Sequence, residues 1–102
     1  MKSRPIIIAP EARDDLLDIE EWLIESASIR TAEGFVLRII DFCFSLDLAS
    51  ERGAQRYDLM PGLRIVGFER QCTIAFAVHD DRVDILRVFR AGRDWEAEFE
   101  EE

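Results

Sequence analysis

The sequence predicts an α+β fold: two antiparallel helices packed on one face of a small, mainly antiparallel sheet, in the chain order strand–helix–helix–strand–strand–strand. Three observations predict it. Between Gly62 and Trp95, three short segments rich in β-branched and aromatic residues follow one another, and their connections are short enough to force antiparallel neighbours. Before them lie two stretches whose apolar residues recur at helical spacing. At 102 residues the chain can build one core but not two. The expectation is a single domain over residues 1–102, with a short acidic tail from about residue 94.

Pro5–Ala9 reads as the first strand. Pro10-Glu11 then opens a helix, because proline loses nothing at a position whose N–H has no partner and glutamate suits the positive helix end. From Ala12 to about Ala27, Ala12, Leu16, Ile19 and Leu23 share one stripe, and Asp14, Asp18, Glu21 and Glu25 share the opposite, solvated one. Trp22 flanks the apolar stripe on one side, Leu17 and Ile24 on the other. Ser26–Arg30 interrupts the pattern, with Ser28 or Thr31 as the next cap. The second helix is expected from about Ala32 to Leu48. Its polar stripe, Gly34, Arg38, Asp41 and Ser45, is thin, and Leu37, Phe44 and Leu48 lie on one flank of the rest. A helix apolar round most of its circumference is either central or covered by a partner. Each large apolar side chain left in water forgoes about 1.5–3 kcal/mol of burial, so the excess on both helices points to a missing partner.

Ala49–Pro61 is expected to be a loop. The strands that follow are Gly62–Phe68, Cys72–Val78 and Val83–Phe89, linked by Glu69–Gln71 and His79–Arg82. Simple alternation places Arg87 on a face with Val83, Ile85 and Phe89, and Asp84, Leu86, Val88 and Arg90 on the other. Beyond them, Trp95 and Phe99 stand among acids in a helical or extended tail.

The net charge of −9 is uneven: residues 1–51 carry −6, residues 52–93 carry +3, and residues 94–102 carry −6. All but one of the 13 basic residues are arginine, the side chain suited to bidentate and stacked contacts. An acidic chain is a poor generic nucleic-acid binder. No apolar stretch approaches bilayer length and the N-terminus lacks a signal-peptide pattern, so the expected compartment is the cytoplasm, with no membrane partner. Cys43 and Cys72 read as small buried hydrophobes. No phosphate loop, HExxH or CxxC is present, so no metal, cofactor or catalytic residue is assigned. The single histidine, His79, precedes Asp80-Asp81 in a turn. The arginines Arg64, Arg87, Arg90 and Arg93 leave two readings open: edge-protecting ion pairs with the acidic first half, or a recognition surface.

PEARDDLLDIEEWLIE, a second apolar helix, PGLR at Pro61–Arg64 and VDILRVFRAGRDWEA at the end together resemble the ParE branch of the RelE/ParE toxin superfamily. The last piece is the most specific; Arg90 stands where the branch usually has histidine. The resemblance spans nearly the whole chain. It implies a toxin of a bacterial type II toxin–antitoxin system that inhibits DNA gyrase by binding. A ParD-like antitoxin would neutralise it, with a ribbon-helix-helix N-terminus on operator DNA and an amphipathic C-terminal segment wrapping the toxin. DNA would then be contacted only through the antitoxin. Under this resemblance Arg64, Arg87, Arg90, Arg93 and Trp95 are target-binding candidates, and Leu17, Trp22, Ile24, Leu37, Phe44 and Leu48 are antitoxin-binding candidates. The alternatives are a RelE-type ribosome-dependent mRNA endonuclease, or a non-toxic binding module retaining the fold. RelE-type members use Lys, Arg and Tyr or His on the open sheet face. Here Lys2 lies far from the strands in sequence and the one tyrosine, Tyr57, falls in the loop.

Overall fold

A computed structural model describes residues 3–48 and 50–100. The elements are β1 (Ile6–Ile8), α1 (Pro10–Ser26), α2 (Ile29–Ser45), β2 (Ala54–Gln55), β3 (Leu63–Phe68), β4 (Cys72–Val78), β5 (Val83–Arg90) and a 3-10 helix at Trp95–Phe99. The five strands form one sheet in the order β1-β5-β4-β3-β2. β1 runs parallel to β5 and every other pair is antiparallel. No helix among the described residues is long and apolar enough to cross a membrane.

The predicted stripe of α1 is the buried one: Ala12, Leu16, Ile19 and Leu23 all lie in the core. α2 starts three residues earlier than expected and ends at Ser45. Ser28 takes the cap, its Oγ accepting from the Thr31 N–H at 3.0 Å. Ala32, Phe35, Ile39 and Cys43 face inward and complete a core with Cys72, Ile74, Phe76, Val83, Ile85 and Val88 of the sheet.

Two further expectations are corrected. The loop Ala49–Pro61 contains a fifth strand, β2, in which Ala54 and Gln55 pair with Ile65 and Arg64. Two exposed residues carry no alternation, so nothing marked them. Gly53 before them has φ +76°, and an added Cβ would lie 2.3 Å from the Ile65 carbonyl oxygen, which permits only glycine. The predicted faces of β5 also fail. Ala75 pairs with Arg87 but Phe76 with Ile85, so Leu86 is bulged out of register. The bulge inverts the alternation. Val88 thereby joins Val83 and Ile85 under the helices, while Phe89 passes to the opposite face. There it packs with Leu63, Ala75 and the partly buried Leu59, Met60, Ile65, Leu86, Trp95 and Phe99.

The Glu69–Gln71 connection is a three-residue hairpin loop between the paired Phe68 and Cys72, with φ +51° at Glu69 and +60° at Arg70 and the Gln71 N–H on the Phe68 carbonyl at 3.0 Å. Both positive angles fall in the left-handed region that favours glycine, here reached without one.

Candidate functional site

The helix layer carries an uncovered apolar surface. Leu17, Ile24, Leu37, Phe44 and Leu48 are 62, 40, 61, 50 and 53% exposed. Between the helices runs a groove of about 440 Å³ lined by Ile8, Arg13, Leu16, Leu17, Glu20, Val36 and Ile40. Leu17 forms one wall. Leu37 and Phe44, three positions before and four after Ile40, continue the opposite wall outward. Ile7 and Ile29, which sequence reasoning did not single out, are exposed as well.

Trp22 does not belong to this groove. Five residues from Leu17, it points about 140° away round the helix and lines a cleft with Arg70, Gln71, Arg90 and Ala91. The Arg90 guanidinium lies 4.5 Å from the centre of its ring, a cation–π contact. Arg93 joins Arg90 and Trp22 beside the acidic residues Asp18, Glu21 and Glu25. This is the end of the molecule where the arginines at and beyond the close of β5 face the acids of α1. Arg70 belongs to it too, placed by a hairpin loop that lacks the usual glycine signal.

The other two candidate arginines, Arg64 and Arg87, are engaged within the chain. Arg64, 8% exposed, donates from Nε to the Arg52 carbonyl at 3.0 Å and from Nη2 to the Glu51 carbonyl at 2.7 Å. It pins the loop that leads into β2. The preceding Gly62 has φ +78°, and Leu63 is fully buried, so the PGLR stretch is held chiefly by folding contacts. Arg87 meets Asp15 of α1 in a bidentate pair, Nε to Oδ2 at 2.7 Å and Nη2 to Oδ1 at 2.9 Å. That hydrogen-bonded carboxylate raises the Arg87 pKa above its ordinary value against the opposing cost of burial. Asp15 Oδ2 also accepts the Val88 N–H at 2.9 Å. β1 ends at Ile8, so the edge of β5 runs on without a strand, and Asp15 satisfies the donor left there.

Trp95 packs on the sheet face away from the helices, with the Arg56 guanidinium 5.3 Å from its ring centre. Burial pushes the Cys43 thiol up to about 12 and the Cys72 thiol, also affected by Glu69, up to about 11, which keeps both protonated. His79 Nε2 lies 3.1 Å from Asp84 Oδ2, which Arg82 also contacts. It sits beside the start of β5, roughly 20 Å of strand from Arg90.

Residues 6–95 match the family described as the ParE toxin of the type II toxin–antitoxin system parDE. Among solved structures, a chain of the chromosomal ParDE toxin–antitoxin system from P. aeruginosa is similar, with a TM-score of 0.75 and 25% identity. The similarity covers 86% of this chain and 96% of that one. No curated protein matches the sequence. A match running from the first strand to the residues beyond the last, on the fold just described, places this chain in the ParE toxin family of type II toxin–antitoxin systems.

Proposed function

We propose that the chain arrests growth by binding DNA gyrase and stalling its cycle, and that a ParD-like antitoxin neutralises it by laying an amphipathic segment over the helix layer. The observation that carries the antitoxin half is the apolar groove between α1 and α2, with Leu17 in its wall, and Ile24, Leu37, Phe44 and Leu48 also 40–61% exposed. A run of exposed apolar side chains on this scale marks an interaction surface, and an amphipathic helix is the partner such grooves accept. Glu20 lines the groove and favours a basic residue on the partner, whereas Asp18, Glu21 and Glu25 line the cleft of Trp22, Arg90 and Arg93.

Target binding is assigned to the arginine-bearing end, where Arg90 and Arg93 stand beside Trp22. Action by binding is favoured over RNA cleavage, because cleavage needs a general base, a general acid and cations converging on one phosphate. His79 pairs with Asp84 at one end of β5 and Arg90 lies at the other. The test is expression without antitoxin, followed by purified protein added to gyrase and plasmid. Growth arrest with inhibited supercoiling or trapped cleaved DNA is expected. Ribosome-dependent mRNA cutting with gyrase untouched would assign the chain to the RelE class. No arrest at all would make it a binding module that retains the fold.

A further inference from the structure

The sheet face away from the helices is occupied by the chain's own acidic end. Its apolar floor is Leu63, Ala75 and Phe89. Trp95 and Phe99, four positions apart, pack on this floor, edge to face with each other at 6.5 Å, and Phe99 likewise meets Phe89 at 6.3 Å. Three arginines stand round the floor and meet the acids between those aromatics. Arg56 Nη2 is 3.0 Å from Glu96, Arg87 Nη1 is 3.5 Å from Glu98, and Arg93 Nη2 is 4.0 Å from Glu98.

The hold is one of side chains. The backbone hydrogen bonds here, Arg93 N–H to Arg90 and Glu100 N–H to Ala97, are local turns. Asp94 makes no capping bond, and no residue from Trp95 to Phe99 is fully buried. A short 3-10 helix has poor hydrogen-bond geometry, and exposed ion pairs are weak and screened by salt. Gly92, at φ +88°, lies just before the segment and supplies a turning point.

We infer that this face is a docking surface for an acidic polypeptide segment bearing two aromatic side chains about one turn apart, and that residues 94–100 hold it until such a segment of a partner protein takes their place. The chemistry of the occupant is read from the segment seated there: aromatic rings for the floor, carboxylates for Arg56, Arg87 and Arg93. A nucleic acid would meet a chain of net charge −9 and find three cations. This surface is separate from the helix-layer groove; it shares Arg93 with the end assigned to target binding, and the peptide test below reads its occupancy directly.

The probe is a fluorescein-labelled peptide with the sequence of residues 94–100, read by anisotropy against full-length protein. In the wild-type chain the tethered copy competes at high effective concentration. The full-length Glu96→Lys/Glu98→Lys variant, whose tail is repelled, should therefore bind the peptide about tenfold more tightly or better. Adding Arg56→Glu to that variant, or about 0.5 M NaCl, should remove the gain. Hydrogen exchange on the unmodified chain should find the amides of residues 95–100 exchanging far faster than those of β4. Three results would overturn the inference. These are equal peptide binding by wild type and variant, exchange at the tail as slow as in β4, or an oligonucleotide binding the variant as tightly as the peptide does.

Discussion

Replacing Asp15 with asparagine tests how the helix layer is fastened to the sheet. The Asp15 side chain, 12% exposed, accepts three hydrogen bonds: two from Arg87, at 2.7 and 2.9 Å, and one from the Val88 N–H at 2.9 Å. Asparagine keeps an oxygen for Val88 but turns a donor toward the guanidinium. Breaking a fully buried ion pair costs about 3–5 kcal/mol. Arg87 is 24% exposed and keeps Glu98 at 3.5 Å, so water and a second carboxylate recover part of that. The expected loss is about 2 kcal/mol, and about 1 kcal/mol more for Asp15→Ala, which also orphans the Val88 N–H. For a domain of this size about 2 kcal/mol corresponds to a Tm lowered by roughly 8–16 °C. Thermal and urea melts followed by circular dichroism measure it. A double-mutant cycle with Arg87→Met should return a coupling of about 1–2 kcal/mol. A Tm within about 2 °C of wild type for Asp15→Asn, or strictly additive effects in the cycle, would refute this account of the junction. The result also bears on toxicity assays, because substitutions at Arg87 should reduce activity through stability.

The arginine-bearing end behaves differently: Arg90→Glu with Arg93→Glu should abolish growth arrest and shift Tm little, since the two substitutions remove one exposed cation–π stack and one ion pair at 4.0 Å. Unfolding of that double variant would assign both arginines to structure. Leu17→Glu with Ile24→Glu should weaken antitoxin binding by about 2 kcal/mol or more while the free protein folds and arrests growth; insolubility without antitoxin would return both side chains to the core. Arg70→Gly should raise stability by about 1 kcal/mol, because residue 70 sits at φ +60° where only glycine is unstrained, and a lowered Tm would contradict this. Cys43 is held protonated to about pH 12 when folded, against an ordinary value of 9.0. The unfolded chain therefore binds fewer protons above pH 9, and stability, undiminished below that, should fall as pH rises toward about 12. Cys43→Val should reduce this alkaline decline, leaving the part due to Cys72, which is held up to about 11, and an unchanged profile would exclude the Cys43 thiol as a source.

The sequence by itself determined the local elements and their inward faces. Ala12, Leu16, Ile19 and Leu23 repeat at a period that only a helix converts into one face, and that face is buried. The same arithmetic placed Leu17, Ile24, Leu37 and Phe44 off the core, and they are exposed, as is Leu48 three residues past the end of α2. Cys72–Val78 was legible to the residue because a strand buried on both faces is a continuous apolar run. Tertiary structure decided whatever depends on residues far apart in the chain. The partners of Arg87 and Arg64 lie 72 and 12 or more positions away, and no local pattern separates an arginine seeking a carboxylate from one left free. The bulge at Leu86 reversed half of β5, since a period of two has no memory once one residue is skipped. Trp22 and Leu17, near neighbours in sequence, went to opposite flanks of α1, one under Arg90 and one in the groove. Composition could mark the tail as acidic and aromatic. Only the packed sheet, by gathering Arg56, Arg87 and Arg93 around Phe89, supplied the surface on which that tail rests.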